Sequence, residues 1–302
     1  MKISLRIDNQ KIVKDVVVIF NMADVSKDPK YYFNRGNTLY AVGNYDEAIK
    51  SYDVAIGINS KDPDFFMRKS EALHMIGRYE EEVAGYDKAI AINPKDPEYQ
   101  IRRSWALQSL GKYDDAIVAY DKAIALNPKD PDFYIKKSHA LIRLGKYDEA
   151  VKEYDRAIAI NGNNPDYYSH KAEALNAIGK FEESAKEYDK AISLNPKNPE
   201  FYVKKTYSLN NLGKYEDSIK EYDRAIGINK NNPDYYYRKA NLLKLLGRYE
   251  EAIKNYDMAI SLKPNDSRYH EERSETINLV GEPEKTDDTK SKGREHLIGK
   301  NK

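Results

Sequence analysis

The sequence contains no cysteine, and this absence excludes a disulfide framework and thiol chemistry. It also lacks an excess of charge of one sign, because charged residues make up 33% of the chain while the formal net charge is only +1. Such a balanced chain has no general electrostatic attraction to nucleic acid or to a membrane surface, so neither is an expected partner. The composition fits a cytoplasmic protein, which is the localisation we expect.

Long apolar runs are absent as well. The run Val16–Phe20 is too short for a signal peptide or a membrane span, and Lys11 and Lys14 precede it, so we expect a soluble protein without a membrane anchor. The sequence has no Ser/His/Asp set, no glycine-rich phosphate loop and no zinc-ligand spacing. It therefore predicts no catalytic residue, no cofactor and no metal, and a protein that is not an enzyme.

What the sequence does contain is one motif that recurs every 34 residues. Each copy has a glycine, a tyrosine nine residues later and an aspartate after that tyrosine, from Gly43, Tyr52 and Asp53 to Gly247, Tyr256 and Asp257. A fixed period of this length is typical of stacked-repeat proteins. Seven complete units, each with proline at position one, span residues 29–62, 63–96, 97–130, 131–164, 165–198, 199–232 and 233–266.

Each unit shows two helical patterns. In the fourth unit the first helix ends at Gly145, a residue type that favours the left-handed conformation after a helix. The second helix begins near Asp148, with acidic residues in its first turn. Small residues recur at position eight, where two helices are expected to approach closely. They are Gly36, Ser70, Ser104, Ser138, Ala172, Thr206 and Ala240.

These residues resemble the tetratricopeptide repeat family, and the resemblance covers residues 29–266. It implies an all-α fold, an α-solenoid with a right-handed superhelix of seven 34-residue helix–turn–helix repeats, and a concave groove that binds a peptide or a partner helix. One departure is a basic residue at position seven, where the family often has leucine; its aliphatic stem can cover apolar surface. These residues are Arg35, Lys69, Arg103, Lys137, Lys171, Lys205 and Lys239.

The two ends of the chain do not match the repeat. Residues 1–28 predict two strands, which as a hairpin could cap the first repeat, pair with a second copy of the chain or form a poorly ordered leader. We expect a monomer, with self-association through residues 1–28 as the alternative. Residues 267–281 keep the first-helix spacing and predict a capping helix, whereas the charged residues 282–302 predict disorder.

Position six of the units is a row of basic residues, which we call the basic ladder. One interpretation is a surface for an acidic or phosphorylated partner. The other is pairing within each helix, because position two is acidic in units two to seven and an acid four residues before a base stabilises a helix by ~0.3–0.5 kcal/mol. The ladder consists of Arg68, Arg102, Lys136, His170, Lys204 and Arg238, with Asn34 first.

Position nine varies most between units and holds Trp105, the only tryptophan. An exposed tryptophan beside basic residues is typical of a binding hot spot, although packing between first helices would also explain it. The candidate partner-binding residues at positions six and nine are Arg68, Arg102, Trp105, Lys136, His139, Lys204, Tyr207 and Arg238.

The same positions allow two narrower hypotheses, a carboxylate clamp and a histidine pair. Some co-chaperones of this family hold a carboxylate with a Lys/Asn/Asn/Lys/Arg clamp, of which Asn37 and Arg102 match, but Phe33, Arg68 and Glu98 do not. His139 and His170 face one site by analogy with the family and could form a metal or pH-sensitive pair, but they lack a third ligand.

Taken together, the sequence predicts a non-enzymatic protein–protein interaction scaffold or adaptor that binds a partner segment in the concave groove of its repeats, and an acidic segment is one candidate. The alternative is an RNA-binding helical-repeat protein that uses the basic ladder.

Overall fold

The computed structural model describes residues 28–280. They form two compact bodies, each made of several 34-residue repeats, that divide after Leu144 and are called the first and the second unit below. Fifteen α-helices and no strand occur in this described part of the chain. The predicted hairpin of residues 1–28 and the predicted disordered tail of residues 282–302 lie outside it, apart from Asp28. The described residues also include no helix long and apolar enough to cross a membrane.

The first unit contains seven helices. They are α1 (Pro29–Ala41), α2 (Tyr45–Ile58), α3 (Pro63–Met75), α4 (Tyr79–Ile92), α5 (Pro97–Ser109), α6 (Tyr113–Leu126) and α7 (Pro131–Arg143). Within this unit each helix from α2 onward packs against the one before it along the chain.

The second unit contains eight helices. They are α8 (Tyr147–Ile160), α9 (Pro165–Ala177), α10 (Phe181–Leu194), α11 (Pro199–Asn211), α12 (Tyr215–Ile228), α13 (Pro233–Leu245), α14 (Tyr249–Leu262) and α15 (Ser267–Val280). Successive helices pack together here too, and α15 closes this unit against α13 and α14. The predicted all-α repeat fold, an α-solenoid of seven helix–turn–helix repeats with a capping helix, is confirmed.

The helix ends follow from the sequence at both termini. Before each first helix an Asp or Asn side chain accepts a hydrogen bond from the backbone two residues later, as Asp62 does from the Asp64 N–H at 3.1 Å. Proline then occupies the first helical turn, where its missing N–H leaves no bond unmade. After the first helix, the glycine at position fifteen adopts a positive φ, as at Gly77 with φ +75°.

The core of each unit is built on the tyrosines of position twenty-four. Their side chains are almost fully buried, and small residues on the adjoining first helix leave room for them. A Cβ atom on Gly36, for example, would lie only 2.4 Å from the ring of Tyr52. The predicted close approach at position eight is therefore confirmed in the first repeat. The most buried of these tyrosines are Tyr52, Tyr86, Tyr120, Tyr154, Tyr188 and Tyr256.

Candidate partner-binding surface

In the first unit, the ladder bases lie beside an acid at position nine. Arg68 Nη1 and Arg102 Nη1 each lie 2.8 Å from a carboxylate oxygen of Glu71. The Glu71 side chain is only 12% exposed, whereas those of the two arginines are 46% and 30% exposed. Glu71 therefore links α3 to α5, and each arginine keeps part of its guanidinium accessible.

The second unit contains the same arrangement. Lys204 Nζ on α11 lies 2.6 Å from Glu173 on α9, and His170 Nδ1 lies 3.8 Å from the same carboxylate. Burial would raise the pKa of Glu173, but hydrogen bonds from His170 and Lys204 outweigh it and hold that pKa below its ordinary value. Glu173 is therefore ionised near neutral pH, and it pins the two bases that face it.

The predicted pairing within each helix is only partly what the structure shows. Arg102 does bind the acid four residues earlier, with its Nε 2.7 Å from Glu98. Arg68 and Lys204 bind acids at position nine instead. Positions six and nine lie three residues apart on one helix face, which brings Arg68 to Glu71. That face also lies beside the neighbouring first helix, which brings Lys204 to Glu173 of the preceding repeat.

Trp105 and its two basic neighbours form the most distinctive part of this surface. The Trp105 side chain is 38% exposed. Arg102 Cζ lies 5.8 Å from the centre of its ring, and Lys136 Nζ lies 5.3 Å from it. Both distances are within the range of a cation–π interaction, so the structure brings three of the predicted residues together.

The other predicted residues are distributed over both units. Tyr207 on α11 is 36% exposed, and its ring packs edge-on against Phe181 with 6.2 Å between centroids. Arg238 on α13 is exposed and lies close enough to the Tyr222 hydroxyl to hydrogen-bond with it. His139 lies on α7 in the first unit and is exposed. Within residues 28–280 no group of three His, Asp or Glu side chains could hold a metal ion.

Sequence reasoning missed the partners of the position-seven bases. Each base from the second repeat onward binds the aspartate that follows the buried tyrosine of the preceding repeat, and the capping helix repeats this contact through Arg273. In the sequence these aspartates are members of the recurring motif, and nothing there identifies their partners. The ion pairs are Lys69–Asp53, Arg103–Asp87, Lys137–Asp121, Lys171–Asp155, Lys205–Asp189, Lys239–Asp223 and Arg273–Asp257, with distances of 2.5–2.7 Å.

The geometry in both units is that of a stacked helix–turn–helix repeat protein. Sequence models of the tetratricopeptide repeat match residues 33–97, 107–174, 172–205, 207–247 and 233–266. The chain therefore belongs to the tetratricopeptide repeat family, and this membership supports a protein-interaction scaffold in general terms. No curated protein matches the chain significantly.

Three solved structures of similar fold are distant in sequence. The C-terminal part of a TPR repeat-containing protein from Cytophaga hutchinsonii is 14% identical, with a TM-score of 0.69 over 80% of this chain and 98% of that one. A tetratricopeptide repeat protein from Parabacteroides merdae is 16% identical, with a TM-score of 0.56 over 84% and 100%. YrrB, described as a TPR protein with an unusual peptide-binding site, is 20% identical, with a TM-score of 0.51 over 63% and 97%. Such similarity concerns the fold alone.

Proposed function

We propose that this protein is a non-enzymatic scaffold that binds an acidic segment of a partner protein on the first helices of its repeats. The observation that carries the proposal is the Trp105 ring, which is 38% exposed between two cations. A tryptophan that is accessible and already oriented by its neighbours provides a large contact area, and residues of this type dominate binding energy at protein interfaces.

The charge around Trp105 defines the kind of partner. Its nearest charged neighbours are Arg102 and Lys136, at 5.8 Å and 5.3 Å from the ring centre. A carboxylate of the partner would bind these cations beside the ring, while an apolar side chain next to that carboxylate would pack on the part of the indole that the cations leave exposed. The surface therefore fits a short segment in which acidic and apolar residues alternate.

The structure does not favour the alternative of RNA binding. Arg68 and Arg102 are already hydrogen-bonded to carboxylates of Glu71 and Glu98, at 2.7–2.8 Å. A phosphate backbone carries a charge at every nucleotide and would meet each of these acids, whereas a short peptide can place one carboxylate against the accessible cations and apolar side chains elsewhere. RNA binding is accordingly an outcome that the test must be able to detect.

The test is selection of random twelve-residue peptides displayed on phage against the full chain, followed by calorimetry with the selected peptides. We expect the selected sequences to be rich in Asp and Glu beside apolar residues. Lys136→Glu should weaken their binding at least tenfold. The matched control is Lys122→Glu, because Lys122 is an exposed lysine on the second helix α6 and the charge change is the same.

Three results would count against the proposal. They are the absence of any enriched peptide, enrichment of basic peptides, and equal binding by the Lys136→Glu and Lys122→Glu variants. A fluorescent 20-nucleotide single-stranded RNA, titrated at several salt concentrations, tests the alternative. Affinity that exceeds that of the peptides and falls steeply with salt would replace the scaffold by an RNA-binding protein.

A further inference from the structure

Position nine carries the same two residue types in both units. Glu71 and Trp105 of the first unit are matched 102 residues later by Glu173 and Tyr207 of the second. The match is confined to these two repeats, because His139 stands 102 residues after Asn37. Since position nine is otherwise the most variable of the exposed positions, a glutamate followed one repeat later by an aromatic residue in both units points to one surface that occurs twice.

The contacts of the two copies agree in the base of the following first helix. In the first copy, Glu71 binds Arg102 of that helix and also Arg68 of its own helix, each at 2.8 Å. In the second copy, Glu173 binds Lys204 of the following first helix at 2.6 Å, whereas His170 Nδ1 of its own helix lies 3.8 Å from the carboxylate. Each copy lies entirely within one unit, since the first uses α3 and α5 and the second uses α9 and α11.

The two aromatic residues are similar in exposure and in the sequence positions of the bases around them. Trp105 and Tyr207 are 38% and 36% exposed. Each is three residues after a base that is held by the preceding glutamate, namely Arg102 or Lys204. In both copies the next first helix carries a base at position six, which is Lys136 in the first unit and Arg238 in the second.

The glutamate in each copy has a defined part in this arrangement. It orients the base that precedes the aromatic residue, because a carboxylate within hydrogen-bonding distance restricts the rotamers of a long basic side chain. A ligand carboxylate that reaches the accessible side of that base therefore finds it already positioned. Preorganisation of this kind raises affinity without any additional contact.

We infer that the chain has two equivalent docking sites for the same acidic and apolar segment, one around Trp105 and one around Tyr207. It would then bind two copies of that segment, either from two partner molecules or from one partner that carries the motif twice. This inference rests on the proposed scaffold function and adds to it the number of sites and the repetition of the motif in the partner.

The experiment uses one peptide selected by the display described above and the single tryptophan as a reporter. Calorimetry with the wild-type chain should give two peptides per chain. Trp105→Ala and Tyr207→Ala should each leave one, and the double variant should leave none. Tyr207→Phe is the matched control, since it keeps the aromatic face and should retain both sites.

A reciprocal variant reports on the second site directly. In Trp105→Tyr/Tyr207→Trp the only tryptophan is moved from the first unit to the second. The same peptide should change tryptophan fluorescence in the wild type and in this variant, with dissociation constants within about threefold of each other, as equivalent sites require.

The outcomes separate this inference from the scaffold proposal. If a peptide binds once per chain and Tyr207→Ala has no effect, the second site is wrong while the scaffold proposal stands. If the stoichiometry is two but one of the alanine variants still binds two peptides, a different surface holds the second copy and the inference fails. If no peptide is selected at all, the scaffold proposal itself fails.

Discussion

The two units differ in the residue at position twenty-three, which precedes the buried tyrosine, and in the ion pairs that this residue makes. In the first unit this residue is small, as in Gly85 and Ala119. In the second unit it includes Glu187 and Glu221, and each of these carboxylates binds the base at position seven of its own repeat. The complete series along the chain is Ser51, Gly85, Ala119, Glu153, Glu187, Glu221 and Asn255.

The contrast is clearest between Lys69 and Lys205. Lys69 binds Asp53 at 2.6 Å, and that aspartate is half exposed. Lys205 binds Asp189 at 2.7 Å and also Glu221 at 2.8 Å, and the Glu221 side chain is only 6% exposed. Burial alone would lower the pKa of Lys205, but the two carboxylates raise it above its ordinary value, so the ammonium stays charged. The same repeat packing therefore accommodates both an exposed ion pair and a buried network of three charges.

Among the substitutions that test this difference between the units, replacement of Lys205 should lower the free energy of unfolding most. Lys205→Met leaves the buried Glu221 carboxylate with only the exposed Arg224 as a cationic partner, and loss of one partner from a buried ion pair costs about 3 kcal/mol. Lys69→Met removes a partly exposed pair and should cost less than about 1 kcal/mol. Urea unfolding of the full chain, followed by circular dichroism, measures both; equal losses would show that the buried network adds nothing.

A double variant separates the buried charge from lost packing. In Lys205→Met/Glu221→Met the buried carboxylate is removed as well, and the remaining partners of the two replaced residues, Asp189 and Arg224, are exposed enough to be solvated. We expect this variant to recover most of the stability lost in Lys205→Met. Failure to recover would mean that the lysine stem, and not its charge, stabilises the interface.

The sequence was informative about the fold because each repeat uses local signals. Proline at position one and glycine at position fifteen act within a few residues, so the helix ends could be predicted. The partner of Lys204 could not, because Glu173 is 31 residues away and the contact depends on how two first helices pack. The same holds for Lys205 and Asp189, which are 16 residues apart. The predicted partner-binding residues remain a prediction until binding is measured.

A smaller effect is expected at position twenty, where the second repeat of the first unit departs from the others. Glu82 is buried there, and its carboxylate lies 3.0 Å from His74 Nδ1. In the second unit Ser184 occupies this position and donates to the Ala172 carbonyl at 2.9 Å. Burial raises the pKa of Glu82 above its ordinary value, although the hydrogen bond with His74 opposes this. The fold therefore disfavours the ionised form of Glu82.

Glu82→Ala should consequently stabilise the protein at neutral pH, because it removes a carboxyl group whose ionised form folding disfavours. A carboxyl group whose pKa is raised by folding contributes its stability at pH below the unfolded value, and loses it as the pH rises through the folded value. The advantage of Glu82→Ala should therefore be greatest at pH 7 and disappear toward pH 4. Melting temperatures across this range, with Glu80→Ala at an exposed acid of the same helix turn as control, test it; an advantage independent of pH would exclude the titration of Glu82 as its cause.

The smallest expected effect concerns position four, where the second unit is regular and the first is not. In the second unit Tyr168, Tyr202 and Tyr236 each donate to a carbonyl oxygen six residues earlier, at 3.0–3.1 Å. Gln100 occupies the equivalent position of the third repeat and is buried, and its side-chain oxygen has no hydrogen-bond partner among the described residues. In the first unit, therefore, the side-chain oxygen of Gln100 is buried without a hydrogen bond, at a position where a tyrosine hydroxyl would donate to a backbone carbonyl.

Gln100→Tyr should give this repeat the hydrogen bond that the repeats of the second unit have, and should stabilise the protein. The new hydroxyl would donate to the Pro94 carbonyl, and a hydrogen bond of this kind contributes about 1 kcal/mol. Tyr134→Phe is the reciprocal variant in the same unit, since it removes the bond to the Pro128 carbonyl at 3.0 Å and should lose a similar amount. If Gln100→Tyr lowers the urea midpoint, α4 and α5 pack too closely to admit the ring, and the irregularity at Gln100 would then reflect the packing of the first unit and not an unmade hydrogen bond.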